Sequence, residues 1–211
     1  MTACQFVIFT YSYIHFIILR VAVFGGSVNP IPTGHALIAA SVAESGEADE
    51  VWLMVSPQNP LKQDRMLMPE IVRFRLAAKV TEMCKGVKAS DFEFHLPRPS
   101  YTYNTLCKLK EKFPEDQFIL LIGSDNWKIF DKWMNSDKII SEFGVLIYQR
   151  PDDPATGPFP EGVKVIENVP QMLVSSTLIR ERLKKGEDIR FLVPDVIYNE
   201  VKSIFNEQQL T

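Results

Sequence analysis

Short apolar runs alternate along this chain with stretches of helical period. Val21–Phe24, Val51–Val55 (VWLMV), Phe118–Ile122 (FILLI) and Val145–Tyr148 are unbroken apolar segments, and Val163–Ile166 (VKVI) reads as a further short strand. Such runs predict strands buried on both faces, as in a parallel sheet. Asp91–Leu96 alternates instead, with Phe92, Phe94 and Leu96 on one parity and His95 on the other. That pattern predicts a further strand with His95 exposed. Helical period fills the intervals. His35–Ser45 places Ala36, Leu37, Ala40 and Ala43 on one side and stops at Gly46, while Pro69–Lys85 opens on proline and ends before Gly86. Arg73 and Arg75 lie on that second helix, and Arg75 reads as solvated helix charge. Ser100 or Thr102 caps a third helix. Ser175 or Ser176 caps another that runs to Lys185, and Pro194–Asn206 closes the chain. Asp152–Gly162, rich in Pro, Gly and Asp, reads as a surface loop. Strands alternating with helices predict an α/β fold with a doubly wound parallel sheet.

The candidate chemistry sits where strand runs end. Val21–Phe24 runs into Gly25-Gly26-Ser27 and then a turn-rich segment to Gly34 and His35. Glycines admit a ligand close to the backbone, and a helix start just beyond supplies free N–H groups for phosphate. The spacing fits neither G-x-G-x-x-G nor a Walker loop. Taken alone, the pair of glycines could equally make a tight turn. Ser56–Lys62 follows the second strand, on the sheet edge where open α/β folds bind ligands, so Lys62 is a candidate phosphate contact, although position alone sooner suits a solvated surface lysine. Phe118–Ile122 leads into Gly123-Ser124-Asp125-Asn126-Trp127, where Asp125 can accept from ribose hydroxyls or an amine. Trp127, Phe130 and Trp133 can stack on a flat heteroaromatic ring, although their spacing also suits a core.

Composition narrows the class. The 211 residues are 46% hydrophobic and 23% charged with a net charge of −3, which fits one soluble globular domain and gives no basic face for nucleic acid. Cys4, Cys84 and Cys107 are scattered, which suits a reducing cytoplasm and argues against a cysteine metal site. Residues 1–19 are strongly apolar, yet lack the basic start of a signal peptide and are short for a membrane span. They read as an extension, from a misplaced translation start, ahead of a single domain over 20–211; a membrane or partner-binding tail is the rival reading. No membrane partner is expected, and a homo-oligomer is compatible with the sequence.

GGSVNPIPTGH resembles the first signature of the nucleotidylyltransferase superfamily, G-G-x-F-x-P-x-H-x-G-H, at Gly25, Gly26, Pro30, Gly34 and His35. VSSTLIR resembles its second signature, I-S-S-T-x-I-R, at Ser175, Ser176, Thr177, Ile179 and Arg180. PSYTYNTL and GSDNW…F…W resemble the segments that mark nicotinate-nucleotide adenylyltransferases within it. The resemblance implies a Rossmann-like fold and adenylyl transfer from ATP to nicotinate mononucleotide, with Mg²⁺ accompanying ATP. It implies catalytic roles for His35, Lys62 and Arg180. ATP contacts would come from Gly25, Gly26, Ser27, Gly34, His35, Gly123, Asp125, Ser175, Ser176, Thr177 and Arg180. Acceptor contacts would come from Asn59, Lys62, Thr102, Tyr103, Trp127, Trp133 and Arg150. One departure stands out: Pro32 occupies the place of the first His of H-x-G-H, and offers neither a side-chain donor nor an N–H. Two alternatives follow, a different acceptor such as nicotinamide mononucleotide or phosphopantetheine, or a weakened nucleotide-binding sensor.

Overall fold

The computed structural model describes residues 18–57 and 67–209. The apolar segment 1–19 therefore falls outside the described residues except for Ile18 and Leu19. Among the described residues six strands form one sheet: β1 (Arg20–Gly26), β2 (Glu50–Val55), β3 (Val87–Ser90), β4 (Gln117–Gly123), β5 (Val145–Tyr148) and β6 (Val163–Ile166). Every pairing is parallel and the order is β3-β2-β1-β4-β5-β6. The doubly wound sheet expected from the apolar runs is thus present.

Strand parity explains why those runs are unbroken. On β1, Ala22 and Phe24 face one core while Val21 and Val23 face the other. The first core is covered by α1 (Thr33–Glu44), α2 (Glu70–Thr81), α6 (Ser176–Lys184) and α7 (Asp195–Gln209), through residues such as Val42, Leu76, Ile179 and Ile197. The second is covered by α3 (Thr102–Lys112) and α5 (Ser136–Glu142), through Leu106, Leu109 and Ile139. A short helix, α4 (Ser124–Trp127), continues directly from β4. Among the described residues no helix is long and apolar enough to cross a membrane.

One expected strand is absent. Phe92–His95 is a 3₁₀ turn, and the strand of that region is the preceding β3. The phenylalanines do not share a face: Phe94 packs against the first core and Phe92 against the second. Turning them apart brings Glu93 inside, at 7% exposure. β3 escaped notice because an edge strand of sequence VKAS, paired only with β2, needs no apolar run. His95 is exposed, as its parity indicated.

Candidate active site

β1 leads to β2 on one side, and the chain later returns to place β4 on the other. In open α/β sheets this switch, at the carboxyl ends of the strands, is where a crevice forms. A cavity of about 600 Å³ lies there. The ends of β1 and β4 and the starts of α1, α3 and α6 form its wall.

β1 ends at Gly25 and Gly26, and the chain turns through Ser27–Pro32 into α1. A side chain at Gly25 would meet nothing within 4 Å, so the backbone lies bare at the cavity. Val28 sits at φ +40, a strained value for a β-branched residue, and is held there by burial to 3% exposure. Three carbonyls of the turn are engaged from outside it. Arg73 Nη1 donates to Ser27 O at 2.7 Å, Arg180 Nη1 to Asn29 O at 2.8 Å, and Ser176 Oγ to Pro30 O at 2.8 Å. Those bonds satisfy three carbonyls of the turn and hold its shape. They also join the two sequence signatures, some 150 residues apart in the chain, into one structure.

His35 lies in the first turn of α1, its backbone N–H donating to Pro32 O at 3.0 Å. Its imidazole stacks on Phe24, with centroids 5.3 Å apart and planes 13° apart. Phe24 in turn receives the ring of Tyr148, edge-on at 5.6 Å. Pro32 occupies the N-cap of α1, is buried and is not on the cavity wall.

The other wall carries Thr102 at the start of α3, together with Trp133, Asp125 and Arg150. Arg150 Nε lies 3.5 Å from Asp125 Oδ2, and the Arg150 backbone N–H donates to the buried Ser124 hydroxyl at 2.8 Å. The indole N–H of Trp133 is buried without a partner among the described residues.

Of the residues implied by the resemblance, Gly25, Gly26, Ser27, His35, Gly123, Asp125, Ser175, Ser176, Thr177 and Arg180 line the cavity, as do Thr102, Trp133 and Arg150. Three do not. Gly34 is buried in α1, where a Cβ would stand 3.3 Å from Met172 Cβ, so it serves the packing of α1 against the approach to α6. Tyr103 turns to α5, donating to Glu142 at 3.2 Å with its ring against Phe143. Trp127 stacks on Phe130 at 5.3 Å within the second core and faces a separate hollow. Asn59 and Lys62 lie outside the described residues. Ser175 Oγ accepts from the Leu178 N–H at 3.1 Å and is the N-cap of α6.

Two buried charged groups at this site were not evident beforehand. Arg73 is fully buried on α2, in direct contrast to its neighbour Arg75, which is 57% exposed and pairs with Glu200. Its guanidinium donates to four carbonyls: Ser27 and Ser56 at 2.7 Å through Nη1, Pro57 at 2.7 Å through Nη2 and Met68 at 2.9 Å through Nε. Helical register held the clue, since Arg73 shares the i, i+3, i+4, i+7 stripe of Leu76, Ala77 and Val80. Glu93 lines the cavity and accepts from Thr105 Oγ1 at 2.9 Å and Ser100 Oγ at 3.3 Å. Burial pushes its carboxyl above the usual range, against the opposing hydrogen bonds of the Ser56, Thr105 and Ser100 hydroxyls. Nothing in the local sequence distinguishes this glutamate from a surface one.

Fold, cavity and the match of residues 23–182 to a family model together define a Rossmann-like nucleotidylyltransferase. That family model is described as cytidylyltransferase-like, and the chain belongs to that family. It is 44% identical over 190 residues to a Bacteroides thetaiotaomicron protein named "Probable nicotinate-nucleotide adenylyltransferase", covering 90% of this chain and 94% of the relative. A Porphyromonas gingivalis protein of the same name is 32% identical over 192 residues, covering 88% and 98% of the two chains. Among solved structures, Plasmodium falciparum nicotinic acid mononucleotide adenylyltransferase complexed with NaAD superposes with a TM-score of 0.73, covering 90% of this chain and 96% of that one. At 19% identity that likeness concerns the fold.

Proposed function

We infer that this protein is an enzyme that transfers the adenylyl group of ATP to nicotinate mononucleotide, giving deamido-NAD and pyrophosphate. The likeness to the Bacteroides thetaiotaomicron protein over nearly the whole of both chains carries this reading. The cavity supports it, since one continuous space joins the glycine loop to the start of α3 and Trp133.

In the proposed reaction a phosphate oxygen of the mononucleotide attacks the α-phosphorus of ATP. One P–O bond forms, the bond to the bridging oxygen of the β-phosphate breaks, and pyrophosphate leaves with its electron pair. No enzyme nucleophile is required. Catalysis consists of alignment and of donors placed where phosphate charge builds. His35, Lys62 and Arg180 are the proposed donors. The bare glycine loop and the α6 start, with Ser175, Ser176 and Thr177, would take the triphosphate, and Gly123 and Asp125 the nucleoside. The N–H groups at the start of α3, around Thr102, suit the pyridine carboxylate, Trp133 suits its ring, and Arg150 suits the acceptor phosphate. Among the described residues no group of His, Cys, Asp or Glu is arranged to hold a metal ion. Mg²⁺ is proposed to accompany ATP, where it would offset charge on the phosphates. A reducing cytoplasm fits the free thiols of Cys84 and Cys107.

The buried position of Pro32 favours a second reading, a nucleotide sensor with little turnover, because no side-chain donor reaches the cavity from there. Pyrophosphate release separates the two, measured with ATP and either nicotinate or nicotinamide mononucleotide or phosphopantetheine, on wild type and Pro32→His. Release with nicotinate mononucleotide by the wild type is expected. Silence in both proteins while ATP still binds would refute the enzyme reading, and preference for another acceptor would replace the substrate.

A further inference from the structure

We propose that Phe24 is a positioning residue for His35, braced from behind by Tyr148 across the gap left by Gly123. The proposal rests on the reading of His35 as a donor to the reacting phosphates.

The arrangement spans three strands. Tyr148 ends β5 and Gly123 ends β4, and the two are register partners. A Cβ on Gly123 would stand 2.9 Å from both Cζ and Oη of Tyr148, so the tyrosine ring occupies the space a side chain would fill. By leaning over β4 the ring reaches Phe24 on β1, two strands away, and meets it edge-on at 77°. Phe24 presents its face to the His35 imidazole at an interplanar angle of 13°. Phe24 and Tyr148 are 3% and 4% exposed, so neither ring is free to turn without displacing core. All three residues line the cavity, Phe24 and Tyr148 as part of its packed wall and His35 half-buried above them. A ring attached through two rotatable bonds is biased toward one plane by a flat, fixed surface against it. The stack aligns the imidazole plane with the Phe24 ring before any nucleotide arrives. Preorganisation of this kind acts on the chemical step, because a donor held in line needs no reordering as charge develops.

The test combines an activity-independent measurement with kinetics on Phe24→Leu and Phe24→Tyr. Leucine keeps an apolar side chain in the core and removes the flat face; tyrosine keeps the ring. In nuclear magnetic resonance spectra the His35 ring protons, assigned by their loss in His35→Gln, should be shifted upfield by the Phe24 ring. In Phe24→Leu they should move toward free-histidine positions. Turnover of Phe24→Leu should drop about tenfold with KM for ATP and for the acceptor within about twofold, and Phe24→Tyr should recover most of the loss. Unmoved ring resonances in Phe24→Leu, or turnover within about twofold of wild type, would overturn the proposal. So would a loss confined to KM or matched by an equal loss in Phe24→Tyr. A Phe24→Leu protein too unstable to measure is answered by a Phe24→Met variant, read by the same criteria. A wild type without pyrophosphate release sinks the functional reading instead, and the resonances report on the stack in either case.

Discussion

Gly123→Ala is the substitution whose consequence can be worked most directly from the geometry. Gly123 has φ −76 and ψ 156, which any residue adopts, so an added methyl carries no backbone strain. By itself, alanine should stabilise by about 0.4–1 kcal/mol through the unfolded chain. The methyl would, however, arrive 2.4 Å from Asp125 Oδ1 and 2.9 Å from Tyr148 Cζ and Oη. Asp125 is 40% exposed at its side chain and can rotate away. Tyr148 is 4% exposed and must move by about 0.5 Å to reach ordinary contact distance. Overpacking of this kind costs about 1–3 kcal/mol, leaving a net loss of about 1.3 kcal/mol at the mid-points of the two ranges. At about 2–4 °C per kcal/mol for a chain of this size, Tm should fall by about 3–5 °C. The ring that moves is the one bracing Phe24, so turnover should fall further than the folded fraction does. Differential scanning calorimetry and steady-state kinetics on the same preparation measure both effects. A variant with unchanged or raised Tm and turnover within about twofold of wild type would refute the steric argument.

Two further predictions concern the buried charges. Arg73→Lys should destabilise the protein by at least about 3 kcal/mol in urea denaturation, since a point ammonium cannot span four carbonyls and bonds to a charged donor are worth about 1.5–3 kcal/mol each; a loss below about 1 kcal/mol would contradict the clasp. Burial raises the Glu93 carboxyl above the roughly 4.3 of an unfolded glutamate, so the native state holds its proton to higher pH and stability falls as pH rises through that window. Glu93→Gln should remove this fall, so that its stability relative to wild type grows as pH is raised from about 4; a difference independent of pH would contradict the shift.

What could be read from the sequence was whatever depends on local pattern. A strand buried on both faces must be apolar at every position, so β1, β2, β4 and β5 declared themselves in VAVF, VWLMV, FILLI and VLIY. Alternation with helical segments then implied the parallel, doubly wound sheet. The two signatures marked the phosphate side because glycine bareness and a capped helix start are properties of a few consecutive residues. Contacts across the fold left fainter traces, such as the apolar stripe that Arg73 shares, or none. Whether an arginine on a helix is solvated or clasps four carbonyls depends on what the helix is laid against, and Arg73 and Arg75 are two residues apart with opposite fates. Phe92 and Phe94 mimicked a strand because alternation in one dimension cannot distinguish a single face from two cores on either side of a 3₁₀ turn. Tyr103 and Trp127 have side chains suited to a ligand, yet α5 and the second core took them; Trp133, from the same aromatic set, reached the cavity. The glycine at the end of β4 could be recognised as a place where backbone lies bare. That its missing side chain makes room for a tyrosine from the next strand, and through it orders a phenylalanine and a histidine, was decided only when β5 was laid beside β4. Pairwise distances between residues far apart in the chain are set by packing, which no local pattern encodes.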